Sequence, residues 1–227
     1  LYELKQSRDK IDKIILVEGY MDVIALSQMG VNNAVATLGT ATNVGHLNKI
    51  FKQVSEIIFC FDGDEAGSKA AWRALETALP LMHDGRQVKF LFLPSGEDPD
   101  TYVRSIGQTD FLKKVGTAKP LEDFLFEQLL ANLDTTTGEG KARLSNLAKT
   151  HLNKIPDGIY SRLMFEKLAD LVGLPAQSIA QLFSNEESPK HRSVSRDPKE
   201  VSRDDGSQYT APKPPSSKKA INFHQKP

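Results

Sequence analysis

The sequence predicts an α/β fold with a central parallel sheet flanked by helices, followed by a helical bundle and a disordered tail. Four short apolar runs, 13–17, 33–37, 56–61 and 88–93, are rich in β-branched and aromatic residues and do not alternate with polar ones. Such runs are typical of strands buried on both faces of a parallel sheet. Helical patterns at 19–30, 43–54 and 65–82 separate the runs, which is the spacing of repeated βαβ units.

The second half of the chain carries a different pattern. Apolar stripes with helical periodicity mark 120–133, 140–155 and 158–173, and Pro175 suits the first turn of a last short helix, 175–183. From residue 186 onward, 6 of 42 residues are Pro and 7 are Ser, and large apolar residues are rare. A segment of this composition cannot bury enough apolar surface to offset its ordering entropy.

These patterns predict four parts. Residues 1–10 are expected to end a preceding subdomain, 11–94 to form the α/β domain, 95–185 to form a helical subdomain and 186–227 to be a disordered linker or tail. Because the chain begins with Leu1 in what looks like the middle of an element, we expect it to be a piece of a longer protein.

Composition excludes several classes of protein. The single cysteine, Cys60, excludes a disulfide framework and a Cys-rich zinc site, and its place in an apolar run predicts a small core residue. No apolar run approaches the roughly 20 residues of a membrane span, so we expect no membrane contact, and the single cysteine fits a reducing, cytoplasmic location. The first 185 residues hold 20 basic and 23 acidic side chains, whereas proteins that grip nucleic acid usually present a basic surface.

Acidic side chains follow three of the four predicted strands. Glu18 follows the first, Asp62 and Asp64 follow the third, and Glu97, Asp98 and Asp100 follow the fourth. Ligands bind outside the carboxyl ends of the strands in open parallel sheets, and residues two apart in an extended segment point the same way. We therefore expect these carboxylates to face one point.

A bound divalent cation would offset the repulsion within such a cluster, because neighbouring carboxylates otherwise repel and raise one another's pKa values. Oxygen ligands without His or Cys favour Mg²⁺ or Mn²⁺ over zinc. A purely structural alternative exists for Asp62 and Asp64 alone, since Asp-Gly-Asp after a strand is often a turn or a helix N-cap. The loop 37–42 after the second strand consists mostly of small residues. It is either an ordinary turn or a loop in which Gly39 and Thr40 contact a bound nucleotide.

Four motifs resemble the bacterial replicative DNA primases in order and spacing: VEGYMDVIAL (17–26), ATLGT (36–40), FDGDEAGSKAAWRALE (61–76) and GEDPDTYVR (96–104). The first three correspond to that family's Toprim domain, placed here at about residues 11–94. The resemblance covers residues 1–183, and the linker-like tail also fits the family.

The resemblance implies a nucleotidyltransferase, a DNA-directed RNA polymerase that makes short RNA primers from ribonucleoside triphosphates on single-stranded DNA. It implies that Glu18, Asp62 and Asp64 are catalytic metal ligands, completed by Asp98 and Asp100, and that Mg²⁺, or Mn²⁺ as a substitute, is the cofactor. It further implies that zinc belongs to an N-terminal domain absent here, and that the replicative helicase binds a C-terminal domain also absent here. We expect the isolated piece to be inactive.

Other readings remain open at this point. Another Toprim enzyme, a topoisomerase or a nuclease, would share the Asp-Gly-Asp motif, although no tyrosine stands in a recognisable nucleophile setting. A non-catalytic Toprim scaffold would tolerate loss of the acidic residues, which this chain retains. A phosphatase of the DxD type is disfavoured, because Ala66 stands where that class has Thr or Val.

Overall fold

The structure, a computed structural model, describes residues 11–37 and 42–185. A five-stranded sheet lies at the centre of this part of the chain, in the order β2-β1-β3-β4-β5. The first four strands are parallel and β5 is antiparallel to β4. The strands are β1 (Lys13–Val17), β2 (Ala34–Ala36), β3 (Glu56–Phe61), β4 (Gln87–Phe92) and β5 (Lys119–Pro120). The predicted parallel sheet is confirmed, and the antiparallel strand is an addition.

Eight α-helices belong to the described residues. They are α1 (Tyr20–Gln28), α2 (Val44–Phe51), α3 (Glu65–Ala78), α4 (Pro99–Gly116), α5 (Leu121–Leu130), α6 (Gly138–Leu152), α7 (Ile159–Val172) and α8 (Ala176–Asn185). The predicted 65–82 helix ends earlier as an α-helix, and a single 3₁₀ turn, Leu79–Leu81, follows it. Pro80 lies within this turn, which fits because proline removes a backbone donor and so interrupts an α-helix.

Both faces of the sheet are covered, as the continuous apolar runs require. Ile58 and Cys60 of β3 belong to one buried cluster with residues of α1 and α4. Phe59 and Phe61 belong to a second cluster with residues of α2, α3 and α5–α8. Alternate side chains of one strand therefore enter opposite helical layers. Cys60 is 1% exposed, which confirms it as a core residue.

The helices of the second half share the sheet's core instead of enclosing one of their own. Phe90 of β4 packs against Phe124 of α5 with ring centroids 4.7 Å apart, and the same cluster reaches Leu152 and Leu168. Asp84 strengthens this attachment from the loop before β4, because its carboxylate accepts hydrogen bonds from the N–H groups of Ile159 and Tyr160 at 3.0 and 2.8 Å. The predicted helices are present, and the proposed boundary at residue 94 stays a prediction.

No helix among residues 11–37 and 42–185 is long and apolar enough to cross a membrane. The predictions for residues 1–10 and for the 186–227 tail fall outside the described residues.

Candidate active site

Three neighbouring strands end at one edge of the sheet and bring their acidic residues to it. β1 pairs in parallel with β3, and β3 pairs in parallel with β4. Glu18 directly follows β1, Asp62 directly follows β3, and Asp98 begins the helix after β4. The parallel register thus brings together the three acidic groups that lie far apart in the sequence.

Glycine is needed between the two aspartates because the chain passes very close to the next strand end. A Cβ on Gly63 would lie 2.2 Å from the carbonyl oxygen of Leu93 and 2.4 Å from that of Pro94. A Cβ on Gly67 would lie 2.3 Å from the carbonyl oxygen of Asp62. Both glycines allow backbone contacts that any side chain would block, and these contacts fix Asp62 between β4 and α3.

Asp64 and Asp98 also serve as helix N-caps. The N–H of Gly67 donates to Asp64 Oδ1 at 2.6 Å, which caps α3. The N–H of Thr101 donates to Asp98 Oδ1 at 2.7 Å, which caps α4. The turn-and-cap alternative is therefore correct for Asp64 as local structure, and each cap leaves the second carboxylate oxygen outside that hydrogen bond.

The electrostatics of the edge are those of crowded carboxylates. Partial burial, followed by repulsion from Glu18, Asp22, Asp98 and Asp64, raises the pKa of Asp62 to about 6. Partial loss of hydration, followed by repulsion from Asp64 and Asp22, raises the pKa of Glu18. The predicted mutual repulsion is present, and burial is the largest single cause of the raised pKa at both residues.

Asp22 also belongs to this cluster, although the sequence patterns do not single it out. Its carboxylate accepts a hydrogen bond from the N–H of Gly19 at 3.1 Å, and the backbone N–H of Asp100, in the first turn of α4, lies near enough to favour its charged form. Burial is the main cause of its raised pKa, and repulsion from Asp98 and Asp100 adds to it. The available signal was an acidic residue at the third position of a helix whose N-cap, Gly19, has no side chain to cap with.

Asp100 lies in the first turn of α4 and forms an ion pair with Arg104 one turn later. Glu97 accepts a hydrogen bond from the Thr101 hydroxyl at 2.8 Å. Gly39 and Thr40, predicted as nucleotide contacts, lie outside the described residues.

The donor set fits a hard divalent cation in its chemistry. Mg²⁺ and Mn²⁺ prefer carboxylate oxygens, and six residues offer them here: Glu18, Asp22, Asp62, Asp64, Asp98 and Asp100. The residues that shift the pKa values of Glu18, Asp22 and Asp62 include no histidine and no cysteine. Within the described ranges, however, no three acidic, His or Cys side chains are already close enough to hold one ion. Binding of one ion by three of these carboxylates therefore requires side-chain rotations.

Comparison with known proteins follows the same division of the chain. A family model described as "Toprim domain" matches residues 12–92. A second, described as "DnaB-helicase binding domain of primase", matches residues 122–177.

Several curated relatives are DNA primases. That of Pseudomonas aeruginosa is 50% identical over 190 residues, which cover 83% of this chain and 29% of that protein. That of Escherichia coli K12 is 47% identical over 174 residues, or 77% of this chain and 30% of that protein. The chain thus spans about 30% of the length of these relatives.

Solved structures agree. A DNA primase domain from Pseudomonas aeruginosa superposes with a TM-score of 0.78 at 51% identity, over 81% of this chain and 58% of that one. A DnaG primase catalytic domain bound to single-stranded DNA gives a TM-score of 0.71 at 46% identity, over 75% and 55%. With its Toprim domain at residues 12–92, the chain therefore belongs with the catalytic-core region of the bacterial DNA primases.

Proposed function

We propose that this chain supplies the metal-binding wall of a DNA primase active site, which joins ribonucleoside triphosphates into short RNA primers on single-stranded DNA. The observation that carries the proposal is the convergence of acidic residues from three adjacent parallel strands at one sheet edge. The relatives described above are DNA primases, which favours this function over a topoisomerase, a nuclease or a non-catalytic scaffold.

In this proposal Glu18, Asp62 and Asp64 are the principal ligands, and Asp98, Asp100 and Asp22 complete the acidic edge. The chemistry that Mg²⁺ or Mn²⁺ supplies when bound is activation of a hydroxyl nucleophile and neutralisation of triphosphate charge. The chain's own contribution is to hold the ligand oxygens on strand ends and first helical turns. Gly63 and Gly67 keep these backbones in contact, so the carboxylates are positioned by rigid elements and not by a loose loop.

Attack of a primer 3′-hydroxyl on the α-phosphate would form one P–O bond and break another, with pyrophosphate leaving. In this scheme the residues of the acidic edge would hold the cation, and the strand ends and first helical turns would fix where their carboxylates lie. Such a protein would work in the bacterial cytoplasm, where chromosomes replicate.

We propose that this chain contributes little of the surface that binds the DNA template. A groove that tracks a nucleic-acid backbone needs Lys and Arg to displace counterions, yet residues 1–185 hold more acidic than basic side chains. One structural relative was solved bound to single-stranded DNA. We propose the same partner for the complete enzyme, with most of its contacts outside this chain.

A replicative helicase is the second proposed partner. From the sequence resemblance we expect this contact in a separate C-terminal domain, whereas the helicase-binding family model matches residues 122–177. Within that segment α7 exposes two apolar side chains, Ile159 at 68% and Leu163 at 54%. We expect a DnaB-type helicase to bind this chain measurably in a sedimentation assay, and Leu163→Asp to weaken that binding; equal binding by the variant would argue against a contact on this face.

The function is tested most simply in a chimera. The matched 190-residue segment of the Pseudomonas aeruginosa primase would be replaced by the corresponding segment of this chain, and template-dependent RNA synthesis would be followed with labelled ribonucleotides and Mg²⁺. We expect primers from the chimera, none from its Asp62→Asn variant, and normal synthesis from Asp170→Asn, which removes an exposed carboxylate on α7. A folded chimera that makes no primers, or a fully active Asp62→Asn variant, would contradict the proposal.

A further inference from the structure

The first turns of α4 form a short helical segment that is separated from the rest of that helix. Gly107 has φ 79° and ψ 167°, which breaks the helix after Ile106. The segment before the break, 99–106, carries Asp100 and follows Asp98, so its placement decides where both carboxylates lie. Such a short helix has little stability of its own and depends on contacts to its neighbours.

Arg104 provides a polar contact between this segment and the C-terminal end of α1, in addition to the apolar packing of Val103 in the cluster that contains Leu26. Its Nε donates to the Asp100 carboxylate within the segment. Its Nη2 donates to the side-chain oxygen of Gln28, the last residue of α1, at 3.1 Å and 76 residues away in sequence. Just beyond the break, the Gln108 side chain donates to the carbonyl oxygen of Gly30 at 3.0 Å. Arg104 therefore spans from an acidic residue of the site to the far end of a neighbouring helix.

The ordinary alternative to a bridging role is that Arg104 forms only a solvated surface ion pair with Asp100. Arg104 and Asp100 are one helical turn apart, and their side chains are 52% and 31% exposed; exposed pairs of this kind contribute little to stability. Lys113 and Asp110 form a pair of that kind on the same helix, with side chains 73% and 60% exposed. Arg104 differs because one planar guanidinium makes two directed hydrogen bonds to groups on different helices, which fixes its orientation.

We propose that Arg104 is a positioning residue for Asp100, holding its carboxylate at the acidic edge by bridging it to Gln28. The inference rests on the proposed metal role of that edge. Residues that orient a ligand are typically worth about 10- to 100-fold in metal affinity or activity. A lysine would keep the charge but could not make both hydrogen bonds in the same geometry.

The sign of the effect separates positioning from simple charge. If Arg104 acted only through its positive charge, its removal would leave the acidic edge more negative and Mn²⁺ would bind more tightly. If Arg104 positions Asp100, its removal weakens Mn²⁺ binding despite the more favourable charge. Arg104→Lys separates the two further, because a charge-only role predicts no change and a positioning role predicts weaker binding.

The experiment is Mn²⁺ titration of the full 227-residue chain, followed by the electron paramagnetic resonance signal of free Mn²⁺ at fixed ionic strength. Five variants are compared with the unmodified chain, each checked for a single cooperative melting transition: Arg104→Gln, Arg104→Lys, Gln28→Ala, Lys113→Gln and Asp62→Asn. Lys113→Gln removes one positive charge from the same helix and is the matched control. Gln28→Ala removes the bridge while every charge stays in place.

We expect about tenfold weaker Mn²⁺ binding for both Arg104 variants, a smaller loss in the same direction for Gln28→Ala, and no change for Lys113→Gln. Equal or tighter binding by Arg104→Gln, or full affinity in Arg104→Lys, overturns the positioning role while the loss in Asp62→Asn still supports the metal site. No Mn²⁺ binding by the unmodified chain, or no loss in Asp62→Asn, overturns the metal site, and the role of Arg104 with it.

Discussion

Replacing Asp62 by asparagine should stabilise the metal-free protein at neutral pH, although it should abolish the proposed activity. The pKa of Asp62 is raised from 3.8 to about 6, which corresponds to about 3 kcal/mol of unfavourable ionisation at full effect. Because the side chain is only partly buried, solvent screening reduces this to about 1–2 kcal/mol. Asparagine keeps the shape and removes that cost.

The pH dependence follows from the direction of the shift. An acid whose folded pKa exceeds its unfolded value costs nothing below the unfolded pKa, and its cost is complete once the pH has risen through the folded pKa. The difference between Asp62→Asn and the unmodified chain should therefore be full near pH 7.5, shrink as the pH falls through about 6 and vanish near pH 4. Thermal melting with a chelator present measures it, with an expected rise of about 2–6 °C at pH 7.5.

Asp170→Asn, which removes one exposed carboxylate on α7, is the control and should not raise the melting temperature at pH 7.5 by a comparable amount. If Asp62→Asn melts below the unmodified chain at pH 7.5, or if its advantage is the same at pH 5 and pH 7.5, the electrostatic account of the acidic edge is wrong.

Three further predictions follow from the fold and the charge distribution. Gly63→Ala should lower the free energy of unfolding, measured in urea, by about 3 kcal/mol, because the added Cβ would meet the Leu93 carbonyl oxygen. Gly116→Ala is the control and should be nearly neutral, because the space around Gly116 is open. Equal effects of the two substitutions would refute the close approach at Gly63. Asp84→Ala should lower the melting temperature by releasing the N–H of Tyr160. The hydrogen bonds from the N–H groups of Tyr160 and Ile159 lower the pKa of Asp84. The difference in melting temperature between Asp84→Ala and the unmodified chain should therefore disappear in strong acid, where the folded-state carboxyl protonates. A difference that persists there would argue against the cap. The chain alone should bind single-stranded DNA weakly, with steep salt dependence, and make no primers; template-dependent primers from it would place the template surface within this chain.

Strand positions and the acidic edge were predictable because both follow from local patterns. The apolar runs around Ile58 and Phe90 read directly as buried strands, and parallel pairing brings their carboxyl ends together. The N-cap role of Asp64 was predictable for the same reason, since Asp before a helical pattern favours a cap.

The features that were missed depend on tertiary contacts. Asp22 looks like an ordinary surface residue of a helix until α4 packs beside α1 and brings Asp98 and Asp100 close to its carboxylate. Asp84 caps a helix whose first residue lies 75 positions away, and β5 is a two-residue strand, Lys119–Pro120, too short to give a periodic signal. The positive φ at Gly107 also has no unique signature, because an isolated glycine in a helical pattern is often tolerated without a break.

The central claim is that Glu18, Asp62 and Asp64 hold a divalent cation, and the most direct measurement is anomalous diffraction from crystals of this chain soaked in Mn²⁺. The account predicts a manganese peak at the sheet edge, within ligand distance of carboxylate oxygens from these residues, with side chains rotated toward it. A well-occupied manganese peak elsewhere, with none beside these three residues, would contradict it.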